Sequence, residues 1–144
     1  MTSSVFPDVN VWVALSAPDH EHFSVAWKWY THLPADASLV FCRHTQLGLL
    51  RLLTTQSAMG ASVLTQTEAW MVYDQWKEAG GGVFMEEPPD IETRFRSYTA
   101  SAQAAPKEWA DAYLAAFSTV ARVQLVTFDR ALSRKATGAV LLSS

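Results

Sequence analysis

Three aspartates occupy positions from which an α/β fold would present them at one edge of a sheet. Asp8 and Asp129 each follow an apolar run of strand length, and Asp111 lies in the opening turns of a predicted helix. In open α/β sheets, ligands bind beyond the carboxyl ends of the strands. A crossover helix runs antiparallel to the strand that follows it, so its first turn lies at this same end. We therefore expect the three side chains to come close together.

Grouped carboxylates favour a particular chemistry. Unless a cation compensates them, they raise one another's pKa values by mutual repulsion. Oxygen ligands without histidine or cysteine suit Mg²⁺ or Mn²⁺. Such a metal lowers the pKa of an attacking water and stabilises charge on a phosphodiester. The spacing therefore predicts a carboxylate metal site for phosphoryl chemistry, with Asp8, Asp111 and Asp129 as ligands.

Each acid also has a structural alternative. Aspartate is a common cap of turns and helices, so Asp8 and Asp129 each fit such a position. Asp111 has a possible ion-pair partner in Arg51 or Arg43. The shared placement of the three acids, and no single one of them, favours the metal site.

The elements that would position these residues follow from the apolar pattern. Short apolar runs alternate with segments of helix length, which is typical of a parallel sheet covered by helices on both faces. We predict an α/β fold, a single three-layer sandwich around a mostly parallel sheet of about five strands. The predicted strands are 5–11, 39–42, 83–85, 124–127 and 139–142, and the predicted helices are 17–32, 45–54, 67–79, 91–103, 107–122 and a short turn at 129–135, with Thr45 and Thr67 as N-caps and Pro106 in a first turn.

Composition limits the class of protein. The 144 residues are 49% hydrophobic and 17% charged, with a net charge of −3. These values exclude intrinsic disorder and a strongly basic, non-specific nucleic-acid binder, and predict one domain over residues 1–144. The single cysteine, Cys42, has no partner for an internal disulfide. Neither a leader pattern nor an apolar run near the ~20 residues of a membrane span is present, so we expect a cytoplasmic protein.

Four segments in order carry a family resemblance. The chain resembles the PIN-domain family, and within it the VapC-type ribonuclease toxins of toxin–antitoxin pairs, over residues 4–142. No single motif is diagnostic, whereas the ordered set is specific. The segments are Phe6-Pro7-Asp8-Val9-Asn10-Val11, the stretch from Thr45-Gln46-Leu47-Gly48 to Thr54, Asp111-Ala112-Tyr113-Leu114-Ala115-Ala116, and Leu125-Val126-Thr127-Phe128-Asp129.

The resemblance implies a metal-dependent endoribonuclease with a PIN fold. Asp8, Asp111 and Asp129 fall on family acid positions that bind Mg²⁺ or Mn²⁺, and Thr127 falls on a hydroxyl position that supports the metal water. The family usually has a glutamate in its second motif, where this chain has Gln46. We expect Gln46 to orient a water or a metal-bound oxygen without adding charge. The alternative is a catalytically weakened PIN-like binding module.

The resemblance also implies partners. Family members commonly form homodimers and are held silent by a small antitoxin protein that inserts a segment near the acids. We therefore expect an RNA substrate, a cognate antitoxin and a homodimer, with no membrane association.

A different enzyme class is disfavoured by one residue. A phosphotransferase that uses an aspartate after the first strand normally needs a second acid two residues later. Position 10 is Asn in this chain. A phosphotransferase of this type is therefore the least favoured hypothesis.

Several other residues allow two interpretations. Trp109 either shapes a substrate groove or fills a gap in the core, and packing is favoured. His20 and His22 have a spacing that suggests metal, but a solvated first helical turn is favoured. His44 is expected to be buried or hydrogen-bonded locally. Four basic residues surround Asp129 in the sequence, namely Arg122, Arg130, Arg134 and Lys135. They either bind the phosphate backbone of a nucleic acid or form a solvated turn, and neither interpretation is favoured.

Overall fold

The architecture is an α/β sandwich. The computed structural model describes residues 3–143, and within them the chain forms five strands and eight α-helices. The strands are β1 (Ser4–Pro7), β2 (Ser38–Phe41), β3 (Gly82–Phe84), β4 (Gln124–Thr127) and β5 (Val140–Leu141). The helices are α1 (Val9–Ser16), α2 (Phe23–Thr31), α3 (Arg43–Leu53), α4 (Gln56–Met59), α5 (Gln66–Ala79), α6 (Ile91–Tyr98), α7 (Trp109–Ala121) and α8 (Arg130–Ser133), with a 3₁₀ turn at Gly60–Ser62.

The five strands form one sheet in the order β3-β2-β1-β4-β5, and every neighbouring pair is parallel. The prediction of a parallel α/β sheet is confirmed. The chain moves outward from β1 on one side through β2 and β3, and on the other side through β4 and β5, so the strand order reverses between β1 and β4. Pro7 pairs with Val126 at this point, which places Asp8 and Thr127 side by side.

Alternate residues of the strands feed two cores, one on each face of the sheet. Val5 and Phe6 of β1 point to opposite faces, as do Leu125 and Val126 of β4. This alternation is the period-two pattern of a strand that is covered on both sides. One core is centred on Trp12, Phe41 and Leu49, and the other on Phe6, Phe117 and Leu125.

Helix α1 was missed by the sequence reasoning. The chain leaves β1 at Pro7, and the predicted strand 5–11 is wrong beyond that residue. Asp8 then caps the helix Val9–Ser16, in which five successive residues from Val11 to Leu15 are buried. A helix that is apolar on every side shows no stripe of period 3.6, so its sequence looks like a continuation of the strand.

The other helix boundaries shift because of their caps. Cys42 precedes the first residue of α3, and Thr45 occupies the third helical position, where its hydroxyl accepts from the Cys42 N–H at 3.0 Å. Thr65, and not Thr67, caps α5 through a reciprocal capping box with Glu68. The predicted helices 17–32 and 91–103 are shortened to α2 and α6.

The start of α7 also differs from the expectation. Pro106 lies in a turn before the helix, which begins at Trp109, so Asp111 is the third helical residue.

No helix within residues 3–143 is long and apolar enough to span a membrane.

Candidate functional site

Asp8 lies at the switch between β1 and β4, with 6% of its surface exposed. Its Oδ1 accepts from the Asn10 N–H at 2.8 Å, and its Oδ2 accepts from the Thr127 hydroxyl. Burial raises the pKa of Asp8, although these hydrogen bonds work in the opposite direction, and the charge of Asp111 raises it further. Asp8 is thus both a helix cap and a buried carboxyl group whose ionised form is disfavoured.

Thr127 links two of the predicted site residues. Its buried hydroxyl donates to Asp8 and accepts from the backbone N–H of Asp129 at 2.9 Å. The Oδ1 of Asp129 accepts from the N–H groups of Ala131 and Leu132, at 2.8 and 3.2 Å, and so caps α8. The expected capping role of Asp129 is confirmed, and its second carboxylate oxygen carries no such bond to the helix.

Asp111 approaches the site from the first turn of α7. Its pKa is raised by burial and then by the charge of Asp129, whereas Lys135 lowers it. Because Asp111 interacts electrostatically with both Asp8 and Asp129, the three predicted acids share one neighbourhood. Glu108, the N-cap residue of α7, also raises the pKa of Asp111.

His44 was expected to be buried or hydrogen-bonded locally, but it is an exposed residue at the edge of this neighbourhood. It is the second residue of α3, and partial burial of its ring and the charge of Arg51 lower its pKa, while Asp8 and Asp111 oppose that shift. Its ring centroid lies 6.1 Å from that of Tyr113 on α7. The signal in the sequence was its position three residues after the end of β2, at the same edge of the sheet as Asp8.

Gln46 is placed differently from the acids. Only 5% of its surface is exposed, and its Oε1 accepts from Arg43 Nη1 at 2.6 Å. The Arg43 guanidinium lies 4.7 Å from the Phe84 ring centroid, and burial raises the pKa of Tyr73 on α5, a shift that the Gln46 amide opposes. The amide oxygen of Gln46 is therefore directed at a cation in this structure, and its role in orienting water stays a prediction.

The donor chemistry of the site suits a hard divalent cation. Within residues 3–143, none of the three aspartates takes part in a salt bridge, so the suggested pairing of Asp111 with Arg43 or Arg51 is not formed. The pKa values of Asp8 and Asp111 are both raised, and a bound cation would lower them again by stabilising the ionised carboxylates. No three His, Cys, Asp or Glu side chains of these residues, however, are gathered as a ready-made metal cage.

The other residues that were weighed in the sequence analysis differ in how near they lie to the acids and in how exposed they are. Lys135 Nζ lies 3.5 Å from Glu108 Oε1, beside Asp111. Arg122 caps the opposite end of α7, eleven residues or roughly 16 Å of helix away from Asp111. It therefore does not belong to the basic group that was predicted near Asp129. Trp109 is 54% exposed, which contradicts the favoured packing role. His22 precedes α2 and stacks on Phe128 with ring centroids 4.8 Å apart.

Comparison with known proteins agrees with this arrangement. The PIN domain family model matches residues 5–138. The chain is 37% identical over 131 residues to Ribonuclease VapC41 of Mycobacterium tuberculosis, covering 88% of this chain and 90% of the relative.

Solved structures share the fold at lower identity. The Mycobacterium tuberculosis toxin VapC20, described as cleaving the sarcin-ricin loop, superposes with a TM-score of 0.63 at 14% identity, over 90% of this chain and 93% of its own. FitAcB from Neisseria gonorrhoeae superposes with a TM-score of 0.59 at 17% identity, over 98% and 96% of the two chains. The match of the family model over most of the chain, together with the VapC relative, shows that this protein belongs to the PIN-domain family.

Proposed function

We propose that the protein is a metal-dependent endoribonuclease and the toxin of a toxin–antitoxin pair, with one PIN domain formed by the whole chain. The supporting observation is the buried Asp8 at the switch point, electrostatically coupled to Asp111 and without a salt-bridge partner among the described residues. The 37% identity to a ribonuclease supports RNA as the substrate.

Asp8, Asp111 and Asp129 would hold Mg²⁺ or Mn²⁺. When bound, such an ion supplies activation of a water and stabilisation of charge on the phosphodiester. Thr127 fixes one oxygen of Asp8 and also anchors the Asp129 backbone, so a single hydroxyl orients two of the three ligands. This kind of support from a neighbouring hydrogen bond is what keeps metal ligands in place.

His44 and Lys135 supply the other polar groups of the site. The lowered pKa of His44 keeps its imidazole neutral at pH 7, so it can accept or donate a proton beside the acids. Lys135 lies beside Asp111 and provides a positive charge for a substrate phosphate. Gln46 would orient a water through the amide donors that its bond to Arg43 leaves free.

The alternative is a PIN-like binding module with weakened catalysis. It is favoured by the amide at position 46, whose oxygen binds Arg43, and by the open arrangement of the acids. Gln46→Glu separates the two hypotheses. A binding module gains Mn²⁺ affinity from the added carboxylate, whereas an enzyme already cleaves RNA with the amide in place.

The direct test is cleavage of total RNA and of a structured ribosomal RNA fragment by wild-type protein, Asp8→Ala and Asp129→Asn, with and without Mg²⁺. Asn at position 129 retains an oxygen that accepts from Ala131 and Leu132, so the cap of α8 survives the change. We expect metal-dependent cleavage by the wild type and its loss in both variants. Full metal-dependent cleavage by both folded variants contradicts the mechanism.

The partners follow from the same proposal. We propose a cytoplasmic homodimer that is silenced by an antitoxin with a basic side chain directed at the acids. The dimer face we favour joins α3 and α5, because Leu47 and Trp70 are 58% and 47% exposed and border one groove. Exposed apolar patches of this kind mark protein interfaces.

A further inference from the structure

A cavity lies at the start of α7. Its volume is about 130 Å³, and it opens between the end of α6, the connection that follows α6, and the first turn of α7. None of the three predicted metal ligands lines it. Its walls include Tyr98, Thr99, Gln103, Ala105, Glu108 and Trp109.

The aromatic wall of this cavity is exposed. Trp109 leaves 54% of its surface accessible, among the highest values for the large hydrophobic residues described. Its nearest aromatic neighbour is Phe95, edge to face, with ring centroids 6.1 Å apart and planes at 70°. An indole in this state offers an apolar face to a planar ligand, and a helix start gains nothing from exposing it to water.

The opposite wall is held in an uncommon backbone conformation. Ala105 has a φ of 40°, in the left-handed region that residues with a Cβ seldom adopt, and it directly precedes Pro106. Conformations of this kind persist where the surrounding structure enforces them, and they concentrate at ligand sites.

Among the residues that line the cavity, Glu108 is the charged one, and two cations lie near the cavity outside its lining. The Arg94 guanidinium lies 5.9 Å from the ring centroid of Tyr98, and Lys107 is exposed next to Glu108. Glu108, an acid of the lining, lies 3.5 Å from Lys135 Nζ and is thereby compensated. Cations around an open aromatic face are the combination that single-stranded nucleic acids require.

The cavity is also correctly placed relative to the acids. Trp109 and Asp111 are two residues apart in the first turn of α7, a rise of about 3 Å along the helix axis. Their side chains leave the helix in nearly opposite directions. The link between the two is Glu108, which lines the cavity, lies 3.5 Å from Lys135 Nζ and raises the pKa of Asp111, so the cavity and the acids meet at the start of α7.

We propose that this cavity binds one unpaired nucleobase of the RNA strand, stacked on Trp109, next to the phosphodiester held at the acids. The inference rests on the proposed function and extends it with a positioning subsite. Stacking on a single aromatic side chain tolerates any base, so the subsite selects for single-stranded RNA more than for sequence.

The test compares binding of two fluorescein-labelled 12-nucleotide strands in EDTA, so that cleavage is suppressed. One strand is oligouridylate, and the other has the same ribose-phosphate chain without bases. Fluorescence anisotropy gives the Kd of each strand for wild type, Trp109→Ala, Trp109→Phe and, as a matched control, Trp27→Ala. Trp27 is an exposed tryptophan of α2 that lies outside this cavity.

We expect Trp109→Ala to weaken binding of oligouridylate roughly tenfold and to change binding of the abasic strand less than twofold. Trp109→Phe should recover part of the loss, and Trp27→Ala should match the wild type. The salt dependence should stay unchanged in Trp109→Ala, because the indole makes no phosphate contact.

The opposing results are distinct. Equal weakening of both strands by Trp109→Ala, or no weakening of either, overturns the subsite while wild-type cleavage leaves the proposed function standing. A wild-type protein that binds neither strand and cleaves no RNA overturns both.

Discussion

The Thr127 hydroxyl is the residue-scale link between the acids. One oxygen atom satisfies a buried oxygen of Asp8 and the N–H of Asp129, residues that are 121 positions apart in the chain. The apolar run before each of these two aspartates predicted that they share one edge of the sheet, and the family resemblance implied the supporting role of Thr127. Neither predicted the bond to Asp8, because that contact depends on the pairing of β1 with β4.

Replacing Thr127 separates the hydroxyl from the side-chain volume. Thr127→Val keeps the shape but leaves two polar groups without a partner, so we expect a loss of about 1–3 kcal/mol in the free energy of unfolding. Thr127→Ser keeps the hydroxyl and should cost at most about 1 kcal/mol. Urea unfolding in EDTA measures both, and equal stability of the two variants contradicts the linking role.

Asp8 predicts a pH dependence with a defined sign. Burial raises its pKa in the folded protein above the value in the unfolded chain. Below the unfolded pKa both states are protonated and no penalty exists. As pH rises through the folded pKa, the buried group must ionise, so metal-free stability falls.

Asp8→Asn removes this penalty and keeps an oxygen for the Asn10 N–H. We expect the variant to match or trail the wild type near pH 4 and to exceed it by about 1 kcal/mol at pH 7 in EDTA. Thermal unfolding between pH 4 and 7 checks the difference. A wild-type advantage that grows toward pH 7 contradicts the assigned cause.

At the scale of elements, caps and close packing decided which predictions succeeded. Strand β4 was predicted over its full length, since it is a short apolar run that follows a predicted helix and precedes a turn. Helix α3 was predicted two residues late because Thr45 looks like an N-cap, whereas it is the third residue of a capping box. The late start left His44 outside the predicted helix, whereas it lies in the first turn of α3 in the neighbourhood of the acids.

The contact between α1 and α3 is testable through Gly48. A Cβ at this position would lie 2.5 Å from Val9 Cγ2, so the two helices approach too closely for alanine. We expect Gly48→Ala to destabilise the protein by about 1–3 kcal/mol despite the better helix propensity of alanine.

Val9→Ala should reverse most of that cost when combined with Gly48→Ala, since it removes the opposing methyl groups. A double-mutant cycle by urea unfolding measures the coupling. Additive effects of the two changes would show that the helices do not meet at this point.

At the scale of the whole molecule, the sequence did not predict which large hydrophobic side chains are exposed. Trp109 and Trp70 are large hydrophobic residues of the kind found in protein cores. Helical spacing alone would place both on the side of a helix that faces the core. Their exposure depends on which elements pack above them, and such long-range packing leaves no periodic signal. The parallel sheet, by contrast, followed from the alternation of short apolar runs and helix-sized segments.

The proposed dimer face gives a prediction at this scale. Leu47→Asp places a charge in the α3–α5 groove and should convert a dimer into a monomer in light scattering after size exclusion. Leu141→Asp, on the edge strand β5, is the matched control and should leave the mass unchanged. A dimer that persists in Leu47→Asp places the interface elsewhere.

The most direct measurement is a calorimetric Mn²⁺ titration of wild type, Asp8→Asn, Asp111→Asn and Asp129→Asn. Asparagine keeps the size of each side chain and, at positions 8 and 129, an oxygen for the cap. We predict one tight binding event in the wild type that weakens at least tenfold in every variant. Unchanged Mn²⁺ affinity in these variants would contradict a shared site for the three aspartates.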